Sequence, residues 1–214
     1  MRLLIATTNQ NKVREIRPLL AWGAIEVVTL ADLPAIPEPA ETGSTFWKNA
    51  RSKALAYAQA SSLLTVAEDS GLEIAALGGQ PGVQSARFLG PDVPYSTRFT
   101  EIYRRLDTQP AQSRSARFVT ALALVSGRRV LFETEAWIDG AIAARPAGEH
   151  GFGYDPIFYY ALLKKTTAEL MLDEKSIVSH RARAFRDLAR WLRANHRPRT
   201  EPPAIQGTRP HEVM

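Results

Sequence analysis

The sequence LLIATTNQNKVREI, residues 3–16, predicts a strand that leads directly into a helix. Residues 2–6 alternate too little for a half-exposed strand and suit a central strand that is covered on both faces. Apolar residues then recur at helical spacing, which predicts a helix from about residue 11 to 21. The corner between them, Thr7 to Lys12, is entirely polar and contains no glycine or proline. Its hydroxyl, amide and ammonium groups are therefore candidates for ligand binding.

The rest of the chain predicts an α/β protein with a mixed sheet. Residues 25–30 suit a second strand, so the chain opens with a β-α-β unit and parallel strands. A buried strand is predicted at 63–69, where Ser70-Gly71 stops it. Residues 116–140 have the pattern of a long antiparallel hairpin that turns at Ser126-Gly127-Arg128. Because both kinds of signal are present, we expect a mixed β-sheet flanked by helices.

Three further helices are predicted, at about 44–60, 96–106 and 176–195. The inward face of the first consists of Phe46, Ala50, Ala54 and Tyr57, and its Asn49 and Lys53 share another face. The buried stripe of the last consists of Ile177, Ala184, Leu188, Trp191 and Leu192. Residues 1–195 are expected to form a single domain. Residues 196–214 contain four prolines and predict a flexible C-terminal tail.

The composition is that of an ordinary globular protein, with 45% hydrophobic and 23% charged residues. No window approaches the roughly 18 apolar residues that cross a membrane, so no membrane partner is expected. The start has no secretory pattern and the chain has no cysteine, so we expect a cytoplasmic protein without disulfides or thiolate metal sites.

The net charge of +5 favours an anionic ligand, either a nucleic acid or a phosphorylated metabolite. The excess lies largely near the C terminus, in Arg181, Arg183, Arg186, Arg190, Arg193, Arg197 and Arg199. A solvated helix face followed by a basic tail is the simpler interpretation of most of these arginines.

The polar corner has the composition of a phosphate site. A helix that begins near Asn11 offers free backbone N–H groups and the positive end of its dipole to an anion. Lys12 adds a mobile positive charge, and neutral donors come from Thr7, Thr8, Asn9 and Asn11. The corner lacks the glycines of a Walker loop. Helix capping by an asparagine or threonine is the alternative interpretation.

The segment VAEDSGLEI, residues 66–74, places two carboxylates at a predicted strand end. Neighbouring strand residues point to opposite faces, so Glu68 and Asp69 reach one site only if the chain bends, and Ser70-Gly71 supplies the predicted bend. Carboxylate oxygens suit Mg²⁺, which keeps several waters. Glu41 is the third candidate ligand, with Glu38 in reserve. The alternative is a polar strand end in solvent.

Two segments nearer the C terminus combine aromatic and basic residues. HGFGYDPIF, residues 150–158, places aromatic residues on a glycine-rich loop, where they could form a stacking wall for a base or fill a core. EKSIVSHRARAF, residues 174–185, places Lys175, His180 and Arg181 at the start of the last helix, with Ser176 and His180 on one face. A single histidine at a helix start is more often a surface or capping residue.

Five segments together closely resemble the noncanonical purine nucleoside triphosphate pyrophosphatases, also called the inosine triphosphate pyrophosphatase or Ham1-like family. They are ATTNQNK (6–12), ETGSTFWKNARSKA (41–54), AEDSGLEIAALGGQPGVQSARF (67–88), GFGYDPIF (151–158) and EKSIVSHRARA (174–184). The resemblance spans residues 3–192. It implies hydrolysis of XTP, ITP and dITP to the monophosphate and pyrophosphate with Mg²⁺. It also implies an elongated α/β fold of two lobes around a central nucleotide cleft, usually in a homodimer.

The resemblance also implies roles for individual residues. The phosphate-binding corner is Thr7, Thr8, Asn9, Gln10, Asn11 and Lys12. Asp69 matches the general base, the metal ligands are Glu41, Glu68 and Asp69, and Ser70 is a substrate contact. The base pocket is Phe152, Gly153, Tyr154, Asp155, Lys175, His180 and Arg181.

The chain departs from the family pattern at two positions. The family often has a double Glu before Thr-Gly and a Glu-Asn pair in the next helix, where this chain has Ala40-Glu41 and Lys48-Asn49. A lysine in place of an acid changes the local charge and bears most directly on Glu41 as a metal ligand. The tail beyond Asn195 has no counterpart in the family pattern.

Two other functions are compatible with parts of the sequence. A nucleic-acid-binding module would use the arginine-rich last helix and the basic tail, but it leaves Glu68-Asp69 unexplained. A catalytically silent nucleotide sensor would bind ITP without releasing pyrophosphate. The resemblance favours the enzyme, with a purine nucleoside triphosphate as its substrate and no stable nucleic-acid partner.

Overall fold

The computed structural model describes residues 1–23, 25–109 and 114–195, so the predicted tail at 196–214 lies outside the described residues. The strands are β1 Arg2–Ile5, β2 Glu26–Thr29, β3 Leu64–Ile74, β4 Ser115–Ser126, β5 Arg129–Ile142, β6 Phe158–Tyr160 and β7 Lys165–Thr166. The α-helices are α1 Gln10–Leu20, α2 Phe46–Ser61, α3 Tyr95–Leu106, α4 Leu172–Val178 and α5 His180–Asn195.

The strands form one mixed sheet in the order β2-β1-β3-β4-β5-β6-β7. β1 runs parallel to β2 and β3, and all other pairings are antiparallel. The predicted β-α-β opening, the hairpin and the mixed sheet are therefore confirmed. The single domain at 1–195 and its two lobes remain predictions.

Helices cover both faces of the sheet. On one face, α1 and α5 pack through Ile16, Leu20 and Leu188 against Leu3 and Ile5 of β1. The predicted inward residues of α2 are all buried, and on the opposite face Ala54 and Tyr57 pack with residues of β1, β3 and β4. No helix of the described residues is long and apolar enough to cross a membrane.

β3 does not stop where the sequence predicts. The pair Ser70-Gly71 continues the ladder to β4, opposite Thr120 and Val119, and the strand runs on to Ile74. The predicted bend at Ser70-Gly71 is therefore wrong. A long antiparallel partner supplies enough hydrogen bonds and packing to override a local break signal.

The predicted last helix is divided in two. Ser179 has an extended backbone, with φ −64° and ψ 152°, and its hydroxyl accepts a hydrogen bond from the Ala182 N–H at 3.1 Å. It separates Lys175 on α4 from His180 and Arg181 on α5, so Ser176 and His180 do not share one helical face. Ile177, predicted to be buried, is 66% exposed.

The outer edge of β5 is only partly paired. β6 pairs with β5 at Ala141 and Ile142 alone. On α5, Arg183 donates a hydrogen bond to the Trp137 carbonyl at 3.0 Å. The stretch of β5 before Ala141 is thus an edge strand within the described part of the chain.

Candidate active site

The candidate site lies where β1 ends and β3 continues. The last ladder pair between them is Ile5–Val66, followed by a hydrogen bond from the Ala6 N–H to the Val66 carbonyl at 2.8 Å. Further along β3, the Leu72 N–H donates to the Ser85 hydroxyl at 2.9 Å. Between these two points the edge of β3 is open, and the polar corner that follows β1 lies beside it.

Glu68 faces α1 and α5 from this open stretch. Its Oε1 accepts from Lys12 Nζ at 2.8 Å and from Arg181 Nε at 3.3 Å. Burial acts to raise the pKa of Glu68, but Lys12 and Arg181 outweigh it and hold that pKa well below its ordinary value. The other oxygen, Oε2, is buried without a hydrogen-bond partner among the described residues. Glu68 is therefore an ionised carboxylate whose second oxygen is buried and unpartnered among the described residues.

Asp69 begins on the opposite face of the sheet, toward α2. Its Oδ2 accepts from Asn49 Nδ2 at 2.9 Å, and its Oδ1 accepts from the Ser70 N–H at 3.1 Å. Burial raises the pKa of Asp69, and the Glu41 carboxylate adds to the rise against the opposing effect of Lys53. Asp69 is therefore held by Asn49 from α2 and by the main chain of the next residue, on a strand that does not bend.

Glu41 is held by cations. Its carboxylate pairs with Lys53 and accepts from Arg87 Nη1 at 2.9 Å, and these partners lower its pKa although burial acts to raise it. Lys53 also lies 3.8 Å from Asp69, so one ammonium links the two acids. Among the described residues, no three acids or histidines converge closely enough to form a ready metal cluster. Lys48 is exposed and contacts the Ser44 hydroxyl at 3.4 Å.

The polar corner is built as a helix cap. Asn9 Oδ1 accepts from the N–H groups of Asn11 and Lys12 at 2.9 and 3.3 Å, and Thr7 Oγ1 accepts from the Asn9 N–H at 3.2 Å. The capping interpretation is therefore correct, and it leaves fewer main-chain donors for an anion than an uncapped helix offers. Thr8 and Gln10 are exposed.

A cleft runs from this corner to the glycine-rich segment 150–158, which is called the aromatic loop from here on. Ten of the predicted site residues line it: Asn9, Lys12, Ser70, Phe152, Gly153, Tyr154, Asp155, Lys175, His180 and Arg181. The remaining predicted residues do not: Thr7, Thr8, Gln10, Asn11, Glu41, Glu68 and Asp69. The structure thus brings together the whole predicted base pocket with Lys12, while the three acids do not line the cleft and Glu68 reaches it through Lys12.

Asp155 holds the aromatic loop in place through hydrogen bonds of both its carboxylate oxygens. Its Oδ2 accepts from the Phe152 N–H at 2.7 Å and from Lys175, and its Oδ1 accepts from the Thr167 hydroxyl at 2.8 Å. Lys175 and Arg181 lie 5.1 and 5.5 Å from the centre of the Phe152 ring. Because both oxygens of Asp155 are engaged, its evident role is to hold the loop and Lys175.

Glu15, on α1, joins the two cations of the pocket. It is 9% exposed, and its carboxylate accepts from Lys175 Nζ at 2.7 Å and from Arg181 Nη1 at 2.6 Å. Burial acts to raise the pKa of Glu15, but Arg181 and Lys175 lower it overall. Arg181 also donates to the Ser70 hydroxyl at 2.9 Å. Arg181 is thus the centre of a buried network that links α1, β3 and α5.

His180 begins α5 and stacks on Phe118, with ring centres 4.8 Å apart. Burial, with the charges of Arg181 and Lys175, holds the pKa of His180 well below its ordinary value, so the imidazole is neutral at pH 7. Its Nδ1 is buried without a hydrogen-bond partner among the described residues.

Sequence reasoning missed several residues that complete the site: Glu15, Asn49, Lys53, Ser85 and Phe118. For Asn49 and Lys53 a signal was present, because two polar residues four apart on α2 share one face, and that face meets Asp69. Glu15 gave a weaker signal as a lone acid beside the apolar stripe of α1. Ser85 and Phe118 contact residues that are distant in the sequence, so no local pattern identifies them.

The geometry combines two capabilities. Ionised carboxylates with lysines beside them can hold a polyphosphate and a hard cation together. A cleft with aromatic rings and cationic donors can hold a flat heterocycle. The two halves share Ser70 and Arg181, so one ligand could occupy both.

Comparisons with known proteins identify the family of the chain. Residues 3–191 match the Ham1 family. The chain is 47% identical over 186 residues to a protein of Geobacillus kaustophilus named dITP/XTP pyrophosphatase, covering 87% of this chain and 91% of that protein. It is 45% identical over 201 residues to one of the same name from Syntrophobacter fumaroxidans, covering 90% and 85%.

Solved structures show the same architecture. The fold superposes on a HAM1 protein from Coxiella burnetii with a TM-score of 0.84 and 36% identity, covering 91% of this chain and 99% of that one. The Ham1 protein of Staphylococcus aureus gives a TM-score of 0.81 and 34% identity, with coverage of 92% and 100%. The resemblance found in the sequence motifs is confirmed, and the chain belongs to the Ham1 family.

Proposed function

We propose that this protein hydrolyses noncanonical purine nucleoside triphosphates, XTP, ITP and dITP, to the monophosphate and pyrophosphate. The observation that carries the proposal is the juxtaposition at the open edge of β3. There Glu68 pairs with Lys12, which lines a cleft that also includes Phe152 and Tyr154, and the next residue, Asp69, lies 3.8 Å from Lys53. The names of the relatives from Geobacillus and Syntrophobacter support the same reaction.

Lysines at the acidic end serve the triphosphate. Lys12 lines the cleft, while Lys53 lies between Glu41 and Asp69. An incoming triphosphate competes with the carboxylates for both ammonium groups. We infer that Lys12 and Lys53 bind phosphate oxygens and offset the charge that develops on the departing pyrophosphate.

The acid residues fit a magnesium ion. The unpartnered Oε2 of Glu68 and the carboxylate of Asp69 are hard oxygen donors of the kind that Mg²⁺ prefers. Glu68 and Asp69 would hold the ion, with Glu41 as a third ligand once its lysine and arginine partners turn to the substrate. Bound there, Mg²⁺ neutralises phosphate charge and lowers the pKa of water.

Asp69 accepts the proton of the attacking water. The water oxygen bonds to the α-phosphorus as the bond from that phosphorus to the bridging oxygen breaks, which releases pyrophosphate. A carboxylate whose pKa is raised by burial is a stronger base than an ordinary aspartate. Asn49 and the Ser70 N–H orient it through the two hydrogen bonds described above.

The aromatic end of the cleft selects the base. The guanidinium of Arg181, the ammonium of Lys175 and the neutral imidazole of His180 are possible donors to the 6-oxo group of hypoxanthine or xanthine. Adenine presents an amino donor at the same position and leaves such donors unpaired. Phe152 and Tyr154 supply apolar surface for the ring.

We also propose that the protein acts in the cytoplasm and as a homodimer. The cytoplasmic location rests on the absence of cysteine, and the homodimer on the family resemblance.

A panel of nucleoside triphosphates tests the proposal. Pyrophosphate release is measured with Mg²⁺ for ITP, XTP, dITP, ATP and GTP, and the first three should turn over fastest. Tight binding of ITP without pyrophosphate would instead identify a silent sensor. A salt-dependent shift with duplex DNA and no turnover would identify a nucleic-acid-binding module.

A further inference from the structure

Arg98, on α3, is a buried arginine whose role the proposed mechanism does not include. It is 2% exposed, and no carboxylate of the described residues forms a salt bridge with it. It donates to four main-chain carbonyls, those of Ser85 at 3.0 Å, Ala86 at 2.8 Å, Gly90 at 2.9 Å and Pro91 at 3.3 Å. A buried cation without a paired acid is a poor source of stability. What it supplies is the shape of the segment that carries these carbonyls.

The segment held by Arg98 forms one wall of the cleft. Ser85 and Ala86 line the cleft at the end of the 3₁₀ helix Gly82–Arg87. The Ser85 carbonyl also accepts a hydrogen bond from the Tyr154 hydroxyl at 3.0 Å. One carbonyl oxygen therefore joins α3, the 82–87 helix and the aromatic loop.

A second contact links Arg98 to the same wall. Its guanidinium carbon lies 4.7 Å from the centre of the Tyr95 ring, one turn earlier on α3. The Tyr95 ring meets the Tyr154 ring edge to face, with centres 5.1 Å apart and an angle of 87°. Tyr95 lines the cleft as well. Arg98 thus contacts two residues of the cleft wall directly, Ser85 and Tyr95. It is linked to a third, Tyr154, because both donate to the Ser85 carbonyl.

We propose that Arg98 is a positioning residue for the wall that receives the purine base, an inference that rests on the proposed function. It holds Ser85, Tyr95 and Tyr154 in register without itself lining the cleft. Its hydrogen bonds do not extend to Lys12, Lys53 or the acids. Base binding therefore depends on Arg98, while triphosphate binding does not.

The guanidinium is suited to this task in a way that an ammonium is not. Its N–H donors lie in a rigid planar fork that can serve several carbonyls at once. A lysine ammonium is a single point of charge at the end of a flexible stem. It can reach only part of the set that runs from Ser85 to Pro91, and it stacks less well on Tyr95.

The test compares Arg98→Lys with Arg104→Lys, the same change on the same helix. Arg104 is exposed and, within the part of the chain that the structure describes, pairs only with Glu101, so its variant should behave as wild type. Arg98→Lys should raise KM for ITP about tenfold, the effect of one or two lost hydrogen bonds, and leave kcat nearly unchanged. The inhibition constant of inorganic tripolyphosphate, which has no base, should stay within about twofold because Arg98 has no contact with the phosphate residues.

Two outcomes would overturn the inference. One is an unchanged KM for ITP in Arg98→Lys; the other is equal weakening of ITP and tripolyphosphate, which indicates a general structural role. If Arg98→Lys does not fold, Tyr154→Phe removes the other donor to the Ser85 carbonyl. Tyr154→Phe should then raise KM for ITP more than it raises the inhibition constant of tripolyphosphate. Equal changes would show that the shared carbonyl does not position the wall. Absence of pyrophosphate release from ITP by the unmodified protein would refute the proposed function itself.

Discussion

Replacing Asp69, the proposed general base, by asparagine is expected to lower the stability of the protein as well as its activity. Each oxygen of Asp69 accepts a hydrogen bond, from Asn49 Nδ2 at 2.9 Å and from the Ser70 N–H at 3.1 Å. In Asp69→Asn the new NH₂ group faces one of these donors in either orientation. A buried polar group left unsatisfied costs about 1–3 kcal/mol. At roughly 2–4 °C per kcal/mol for a protein of this size, Tm should fall by about 2–12 °C.

A reciprocal exchange separates this loss of stability from the loss of the base. In the double variant Asp69→Asn with Asn49→Asp, the carboxylate at position 49 accepts from the new amide. It also accepts from the Gly43 N–H, which in the wild-type structure donates to Asn49 Oδ1 at 2.8 Å. The oxygen of the amide at position 69 remains free to accept from the Ser70 N–H. All three hydrogen bonds are restored, so most of the lost Tm should return.

Catalysis should not return with stability. Removing a general base typically lowers the rate about 10²–10⁴-fold, and the exchange moves the carboxylate to another helix. Pyrophosphate release from ITP and thermal unfolding are measured on wild type, Asp69→Asn and the exchange. More than about a tenth of the wild-type kcat in either variant, well above the range for a lost base, would show that Asp69 is not the base.

Three further results are expected. Excess chelator should abolish pyrophosphate release and added Mg²⁺ should restore it, and full activity in chelator would exclude the carboxylates as metal ligands. Lys12→Ala should lower kcat/KM for ITP and ATP by similar factors, because phosphate contacts do not distinguish bases; a changed ITP/ATP ratio would contradict this. Glu15→Gln should cost about 3–5 kcal/mol of unfolding free energy at pH 7, because Lys175 and Arg181 lose their buried partner. The pKa of Glu15 is lowered in the folded protein, so its charge stabilises the fold fully only above the ordinary value of 4.5. The difference in unfolding free energy between wild type and Glu15→Gln, measured by denaturant titration, should therefore shrink as the pH falls below 4.5. A difference that stays constant with pH would refute the role of the charge.

Elements set by local periodicity were predictable. The strand-helix opening, α2, α3 and the β4–β5 hairpin follow from the spacing of apolar residues, which depends only on near neighbours. The full length of β3 was not predictable, because Ser70-Gly71 taken alone signals the end of a strand. The fold shows another use for Gly71: a Cβ there would lie 2.4 Å from the Gly82 carbonyl oxygen, so the residue permits a close approach of the 82–87 helix.

The candidate site was predictable in its residue types and less so in its connections. The motifs identify Lys12, Glu68 and Arg181, and the structure joins all three. The role of Glu15 was not accessible, because its partner Arg181 is 166 residues away in the chain. The division at Ser179 was missed because a serine inside an amphipathic pattern is a weak stop signal, and its cap to Ala182 is visible only in three dimensions.

The partly paired edge of β5 has a consequence for the behaviour of the protein in concentrated solution. An unpaired strand edge is a template on which another chain can add a strand, the first step of aggregation. Here the edge strand carries Arg129, Glu133, Glu135 and Asp139, and the Arg183 guanidinium occupies one outward carbonyl. Charges on an edge strand oppose the docking of a second strand. The same residues that extend the sheet are therefore expected to oppose aggregation through this edge.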